Sequence, residues 1–340
     1  NRLFNSLRKL DILSEPLEDP SVTEIMINGY REIFIERNGE YERWDQCFES
    51  PEQLEELIQQ IVSRIDRSVN TLHPIADARL PDGSRVHIVL PPISLRGAIV
   101  NIRKFPEPIT MEKLIRFRSI TEEAADFLKQ LVISAYSIFI SGGTSSGKTT
   151  FLNALSQFIP ERERVITIED SAELQLKHIP NLVSLETRNK NSEGEGEVTI
   201  AELIRSSLRM SPNRIIVGEV RGAECLDMLN AMNTGHDGSL STGHGNSGRD
   251  MLRRMETMVL QGAELPLPAI RNMIASAIQI LVHLGRGGDQ KRRVLEISEI
   301  LGVENGEIKT KKLFEYDGKT LRRIAELTDQ KRLRERLPAL

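Results

Sequence analysis

Residues 138–150 read IFISGGTSSGKTT, a set of glycines, hydroxyls and one lysine between an apolar run and a helical pattern. The spacing satisfies GxxxxGK[ST] over Gly142, Gly143, Thr144, Ser145, Ser146, Gly147, Lys148 and Thr149. Glycines at both ends let the backbone curl into a nest. Its N–H groups, with the N-terminus of the next helix, bind phosphate oxygens. Lys148 then reaches the β- and γ-phosphates, the Thr149 hydroxyl is placed for Mg²⁺, and Thr150 shares its turn. The strand–loop–helix context is the one this motif requires, so the ligand is a nucleotide.

Acidic residues follow at the ends of apolar runs. RVITIEDSAEL closes a run with Glu169 and Asp170, a pair suited to Mg²⁺, which keeps several of its waters. RIIVGEVRG ends in Gly218-Glu219, with glycine where a metal-binding aspartate is usual. Glu219 can still orient or deprotonate an attacking water. TGHDGSLSTGHGNS sets His236 and His244 around a short strand, and no cysteine or further histidine completes a zinc set. His244 can donate to a γ-phosphate oxygen, and His236 is the second candidate. The guanine-reading Asn-Lys-x-Asp motif is absent: Asn189-Lys190-Asn191-Ser192 lacks the aspartate. Nor is there an arginine-rich lid of the small-molecule kinase type.

The elements that must position these residues fall into two regions. Residues 1–105 read as a small α+β unit. Runs VTEIMI and EIFIE are split by Asn28-Gly29, a third strand follows Asn38-Gly39, and a hairpin turns at Asp82-Gly83. Between them, Ser50-Pro51-Glu52-Gln53 opens a helix with a capping box, and Leu54, Leu57, Ile58, Ile61, Val62 and Ile65 line one face. Residues 106–119, with Pro106 and Pro108, read as a linker. From 120 to 310 apolar runs alternate with helical segments, which predicts an α/β domain with a mainly parallel sheet. NSEGEGE at 191–197 is a polar acidic loop, and 311–340 is a basic C-terminal segment with nine Lys/Arg against five Asp/Glu, expected as a solvated helical face.

Composition sets the outer bounds. The 340 residues are 39% hydrophobic, 28% charged and 4% aromatic, with net charge −4. A basic, aromatic-rich nucleic-acid binder is therefore not expected. Two distant cysteines fit a reducing compartment, and no apolar stretch reaches the ~20 residues of a membrane span. No signal-peptide pattern opens the chain, whose Asn start reads as that of a trimmed or internal fragment. These features predict a cytoplasmic location.

GGTSSGKTT, VITIEDSAEL, LRMSPNRIIVGEVRG and NTGHDGSLSTGHGNS also occur in the order of the Walker A, Asp box, Walker B and His box of the type II/IV secretion ATPases. The chain resembles that superfamily over residues ~20 to 305. Its finer wording, DARLPDGSRV, NIRKF, EGEGEVTI, RGAECLDMLNAMNTGHDGSLST and METMVL, is most similar to the tight-adherence (Flp) pilus assembly ATPases of the CpaF/TadA type. The resemblance implies an N-terminal PAS-like α+β domain, a RecA-like P-loop ATPase domain, and a homohexameric ring with ATP between the domains. It implies a motor that hydrolyses ATP with Mg²⁺ to power pilus assembly, retraction or secretion. Its partner would be a platform protein at the cytoplasmic face of the inner membrane. It further implies phosphate roles for Arg85 and Arg103, and intersubunit or nucleotide-linked roles for Arg209 and Arg221. The four-cysteine metal insertion of type II secretion ATPases is missing, STGHGNS has an unusual glycine after His244, and the basic end has no counterpart. A nucleic-acid-stimulated RecA-like motor and a non-hydrolysing nucleotide-gated scaffold are the competing readings.

Overall fold

The computed structural model describes residues 12–37, 39–63, 69–80, 82–105, 108–188, 190 and 195–337. The chain divides into two compact units, Asn1–Glu107 and Pro108–Leu340. The first is a six-stranded antiparallel sheet in the order β3-β2-β1-β6-β5-β4. Its strands are β1 Val22–Asn28, β2 Ile33–Arg37, β3 Glu40–Arg43, β4 Ile75–Arg79, β5 Arg85–Val89 and β6 Ile99–Arg103. A short α1 (Ser14–Glu18) precedes them, and α2 (Pro51–Val62) starts where Ser50 accepts from Gln53 N. The capping box is offset: Gln53 Oε1 accepts from Glu49 N at 2.8 Å, one residue before the cap. The expected apolar stripe Leu54, Leu57, Ile58, Ile61 and Val62 is buried against Ile25, Ile27, Val86, Ile88, Val100 and Ile102, whereas Ile65 lies outside the described residues. Burying alternate strand residues on that face leaves Arg85, His87, Asn101 and Arg103 on the other.

The second unit is a nine-stranded sheet in the order β15-β14-β13-β12-β7-β11-β10-β8-β9. The run β12-β7-β11-β10-β8-β9 is parallel throughout. Here β7 is Ile138–Gly142, β8 Val165–Glu169, β9 Leu182–Glu186, β10 Arg214–Val220, β11 Leu240–His244 and β12 Ile280–Arg286. Both faces are covered, so the central strands are buried at nearly every position. Ile138 and Ile140 face α4 (Glu122–Ile133) and α5 (Lys148–Ser156), behind a short α3 (Met111–Arg116). Phe139, Ile166 and Ile168 face α6 (Ile200–Ser207), α7 (Glu224–Asn233), α8 (Gly248–Gly262) and α9 (Leu267–Ala277).

The C-terminal stretch differs from a solvated helical face. β13 (Arg292–Glu304) and β14 (Glu307–Tyr316) form a hairpin that crosses position 311, followed by β15 (Leu321–Arg323) and a short α10 (Lys331–Arg336). Asn305 and Gly306 both take positive φ, +52° and +78°, as a two-residue hairpin turn requires. Leu313, Phe314, Leu321 and Leu327 are buried in the same core as α4. Of its nine Lys/Arg, Lys311, Lys312, Arg322 and Arg323 lie on β14 and β15, Lys319 in the turn between them, and Lys331, Arg332, Arg334 and Arg336 on α10, which has no buried residue. Among the described residues no helix is long and apolar enough to cross a membrane.

Candidate active site

In a parallel sheet with helices on both faces, ligands bind at the carboxyl ends of the strands, beside the strand where connection direction changes. β7 is that strand, with β11 on one side and β12 on the other. It ends at Gly142, and α5 begins at Lys148. A Cβ on Gly142 would lie 2.5 Å from Ser146 Oγ and 2.7 Å from the Leu284 carbonyl, so only glycine fits. Gly147 has φ +94°, and Ser145 takes φ +56°, left-handed backbone that costs a residue with a side chain about 1–2 kcal/mol. Thr144 and Ser145 are exposed, whereas Ser146 Oγ is buried with no hydrogen-bond partner among the described residues. A cradle closed to side chains, with an unused buried hydroxyl, fits a phosphate group.

The charged residues converge on this cradle. Lys148 Nζ donates to the carbonyls of Gly142 at 3.2 Å and Gly143 at 3.0 Å, and stands 3.9 Å from Glu219 Oε1. Burial lowers the Lys148 pKa, and the Glu219 carboxylate opposes that shift. Glu219 Oε2 accepts from Arg221 Nε at 2.7 Å, and Glu219 Oε1 lies 2.5 Å from His244 Nδ1. Arg221 also reaches Asp170 Oδ2 at 3.2 Å, so one guanidinium joins the ends of β8 and β10. His244 is the register partner of Gly142, which sets the end of β11 directly against the start of the loop. Gly245 has a packing role: a Cβ there would approach Met251 Cβ to 3.0 Å.

Glu169 closes β8 and is 4% exposed. It accepts from Glu173 N at 2.9 Å and Leu174 N at 3.2 Å. Burial raises its pKa to about 7, helped by Glu173 and Glu186 and resisted by the two amides. Its side chain also accounts for the missing aspartate of β10. A Cβ on Gly218 would come within 2.9 Å of Glu169 Cγ, so Glu169 occupies that space. Thr149 and Thr150 lie half-buried in the first turn of α5. Among the described residues no cluster of three His, Cys, Asp or Glu could hold a metal alone. Mg²⁺ needs none, because it binds through one or two carboxylates, waters and substrate phosphates. Thr149, Glu169 and Asp170 supply a donor set of that kind.

Arg209 and His236 are not brought to this cluster. Arg209 is exposed in the turn after α6, before β10 begins, and His236 Nδ1 contacts the Ala231 carbonyl of α7 at 3.0 Å, before β11 begins. Residues that precede a parallel strand sit at its amino end, about 16 Å from the carboxyl end for five residues. Arg85 and Arg103 belong to the other unit, where they are direct cross-strand partners on the face that α2 leaves open. Arg79 pairs with Arg85 on the opposite side, so three arginines form one row.

Sequence reasoning missed the cavity beside the loop. It measures about 650 Å³ and is walled by Leu114, Phe117, Phe151, Leu284 and Val294 next to Ser146, Gly147 and Thr150. Several of its cations come from the β12–β13 hairpin. The run Lys291-Arg292-Arg293 carried a charge signal, but nothing local tied it to a loop nearly 150 residues earlier.

The profile of the family described as "Type II/IV secretion system protein" matches residues 8–332. The chain is 36% identical over 306 residues to the type IV secretion system protein VirB11 of Brucella suis, covering 82% of this chain and 85% of that one. It is 33% identical over 309 residues to a putative conjugal transfer protein of Mycobacterium tuberculosis, covering 89% and 87%. Two solved structures share the fold. One is the ATPase DotB of Legionella pneumophila, with TM-score 0.60, 21% identity and coverage of 86% and 80%. The other is the pilus retraction motor PilT with bound ADP, with TM-score 0.61, 19% identity and coverage of 97% and 87%.

Proposed function

The chain belongs to the type II/IV secretion system protein family, and from that premise we propose that it is an ATP-hydrolysing motor of a secretion or pilus machine. The observation that carries this is the meeting of Lys148, Glu219 and His244 at a glycine cradle on the carboxyl ends of β7, β10 and β11. Lys148 exchanges two loop carbonyls for phosphate oxygens when ATP enters. Glu219, released from Arg221, accepts the proton of the attacking water. His244 orients that carboxylate and donates toward the γ-phosphate. Glu169, with its pKa near 7, can hold or release a proton at working pH. Thr149, with Glu169 and Asp170 through water, would hold Mg²⁺, whose charge offsets that of the phosphates. Arg85, Arg103 and Arg221 supply guanidiniums for transition-state charge. The cavity beside Gly147 takes the nucleoside.

We further propose that the protein belongs to the tight-adherence (Flp) branch; the wording DARLPDGSRV and RGAECLDMLNAMNTGHDGSLST supports this. It would act as a homohexamer with a PAS-like first domain, at the cytoplasmic face of the inner membrane, on a platform protein. Two discrete nucleotide states of such a ring would deliver work in steps. The test is phosphate release by purified protein. Lys148→Ala and Glu219→Gln should each lower kcat/KM by at least about 100-fold. Turnover that survives both substitutions removes the motor. Sedimentation with nucleotide should give a six-fold assembly, and a persistent monomer refutes the ring.

A further inference from the structure

The cavity that borders Ser146, Gly147 and Thr150 has a lopsided polar lining. Arg116, Arg118, Arg286, Lys291, Arg292 and Arg293 all face it, and among the described residues it has no Asp or Glu. Two of these cations are already engaged: Arg293 Nη2 donates to Asp289 Oδ2 at 2.7 Å, and Arg286 Nη1 to the Gln290 carbonyl at 2.9 Å. The Arg292 guanidinium makes no side-chain hydrogen bond or ion pair among the described residues. Its stem runs beside the cradle, because a Cβ on Gly147 would lie 3.7 Å from Arg292 Cδ. A nucleoside that extends from the cradle into the cavity would therefore have Arg292, Phe117 and Phe151 among its neighbours.

The two purines ask different things of such a lining. Guanine presents O6 and N7, two adjacent acceptors at the spacing of a guanidinium fork. Adenine presents N7 beside an amino group, which needs an acceptor. Charged donors surround this cavity and no carboxylate does, so the adenine amino group has main-chain carbonyls and a few neutral side-chain oxygens to turn to. We propose that the pocket admits guanine as readily as adenine, that Arg292 is the side chain that reads O6 and N7, and that the protein turns over GTP as well as ATP. This inference rests on the nucleotide reading of the cradle.

The experiment uses the full chain, with unlabelled ATP, GTP and CTP competing against a fluorescent ATP analogue, alongside phosphate release from each. GTP should compete within about tenfold of ATP, and CTP should be weaker than both. Arg292→Ala should move the GTP-to-ATP affinity ratio about ten- to hundredfold against GTP, the worth of one bidentate base contact. Arg292→Lys, which keeps the charge and loses the fork, should fall between. A ratio is insensitive to a general loss of folded protein. GTP binding more than about 100-fold weaker than ATP overturns the inference and leaves the ATPase reading intact. So does a ratio that Arg292→Ala leaves unmoved, or CTP equal to GTP. Failure of every nucleotide to bind overturns the cradle itself, and this inference with it.

Discussion

Replacing Glu169 by glutamine tests the electrostatics of the site through stability. The folded protein holds the Glu169 proton up to about pH 7, whereas the unfolded chain releases it near 4.5. Between those values the folded state binds more protons, so stability falls as pH rises through the window and levels off above it. At about 1.4 kcal/mol for each pH unit, the window amounts to about 3 kcal/mol. Glutamine cannot ionise, yet its carbonyl can still accept from the amides of Glu173 and Leu174. Urea unfolding of both proteins from pH 5 to pH 8 reads the effect. The transition to follow is the one that Mg-nucleotide moves upward, since ligand binding stabilises the unit that holds it. The stability of Glu169→Gln relative to the parent should grow by about 3 kcal/mol across the series. Parallel pH curves would refute the claim that burial keeps this carboxyl protonated.

Other outcomes follow from single contacts. Gly218→Ala should cost about 1–3 kcal/mol by crowding Glu169, and much less in a Glu169→Ala background; equal costs in both, measured by urea unfolding, would show that the two do not touch. Arg214 is fully buried, donates to Glu163 Oε1 at 2.9 Å and to the Val132 and Gly238 carbonyls, and its change to alanine should cost about 3–5 kcal/mol in thermal unfolding. A loss under 1 kcal/mol would contradict that network. Of the two cysteines, exposed Cys47 should react with a maleimide at once. Burial pushes the Cys225 thiol up to about 12, so it should label only on unfolding, and rapid labelling of both would deny its burial.

What could be read from the sequence was local or periodic. The cradle, the strand ends at Glu169 and Glu219, and the stripe of α2 each sit within a dozen residues of their own signal. Arg209 and His236 show where that reading stops. They lie close in sequence to Glu219 and His244, yet strand direction puts them at the amino ends of β10 and β11 instead of the carboxyl ends. Asking which end of a parallel strand each residue occupies would have separated them. The β13–β14 hairpin was hidden because its outward lysines and glutamates masked the alternation that buries Leu313 and Ile297, although Asn305-Gly306 marked its turn. Arg292 stood in a basic run with no local signal for its partner, because its place beside Gly147 depends on β12 pairing with β7.

Arg221 grips Glu219 and Asp170 with the same planar group. Withdrawing that one group would take the same cation from both carboxylates in a single step. Any anion that competes for Arg221 therefore alters the charge at the ends of β8 and β10 together.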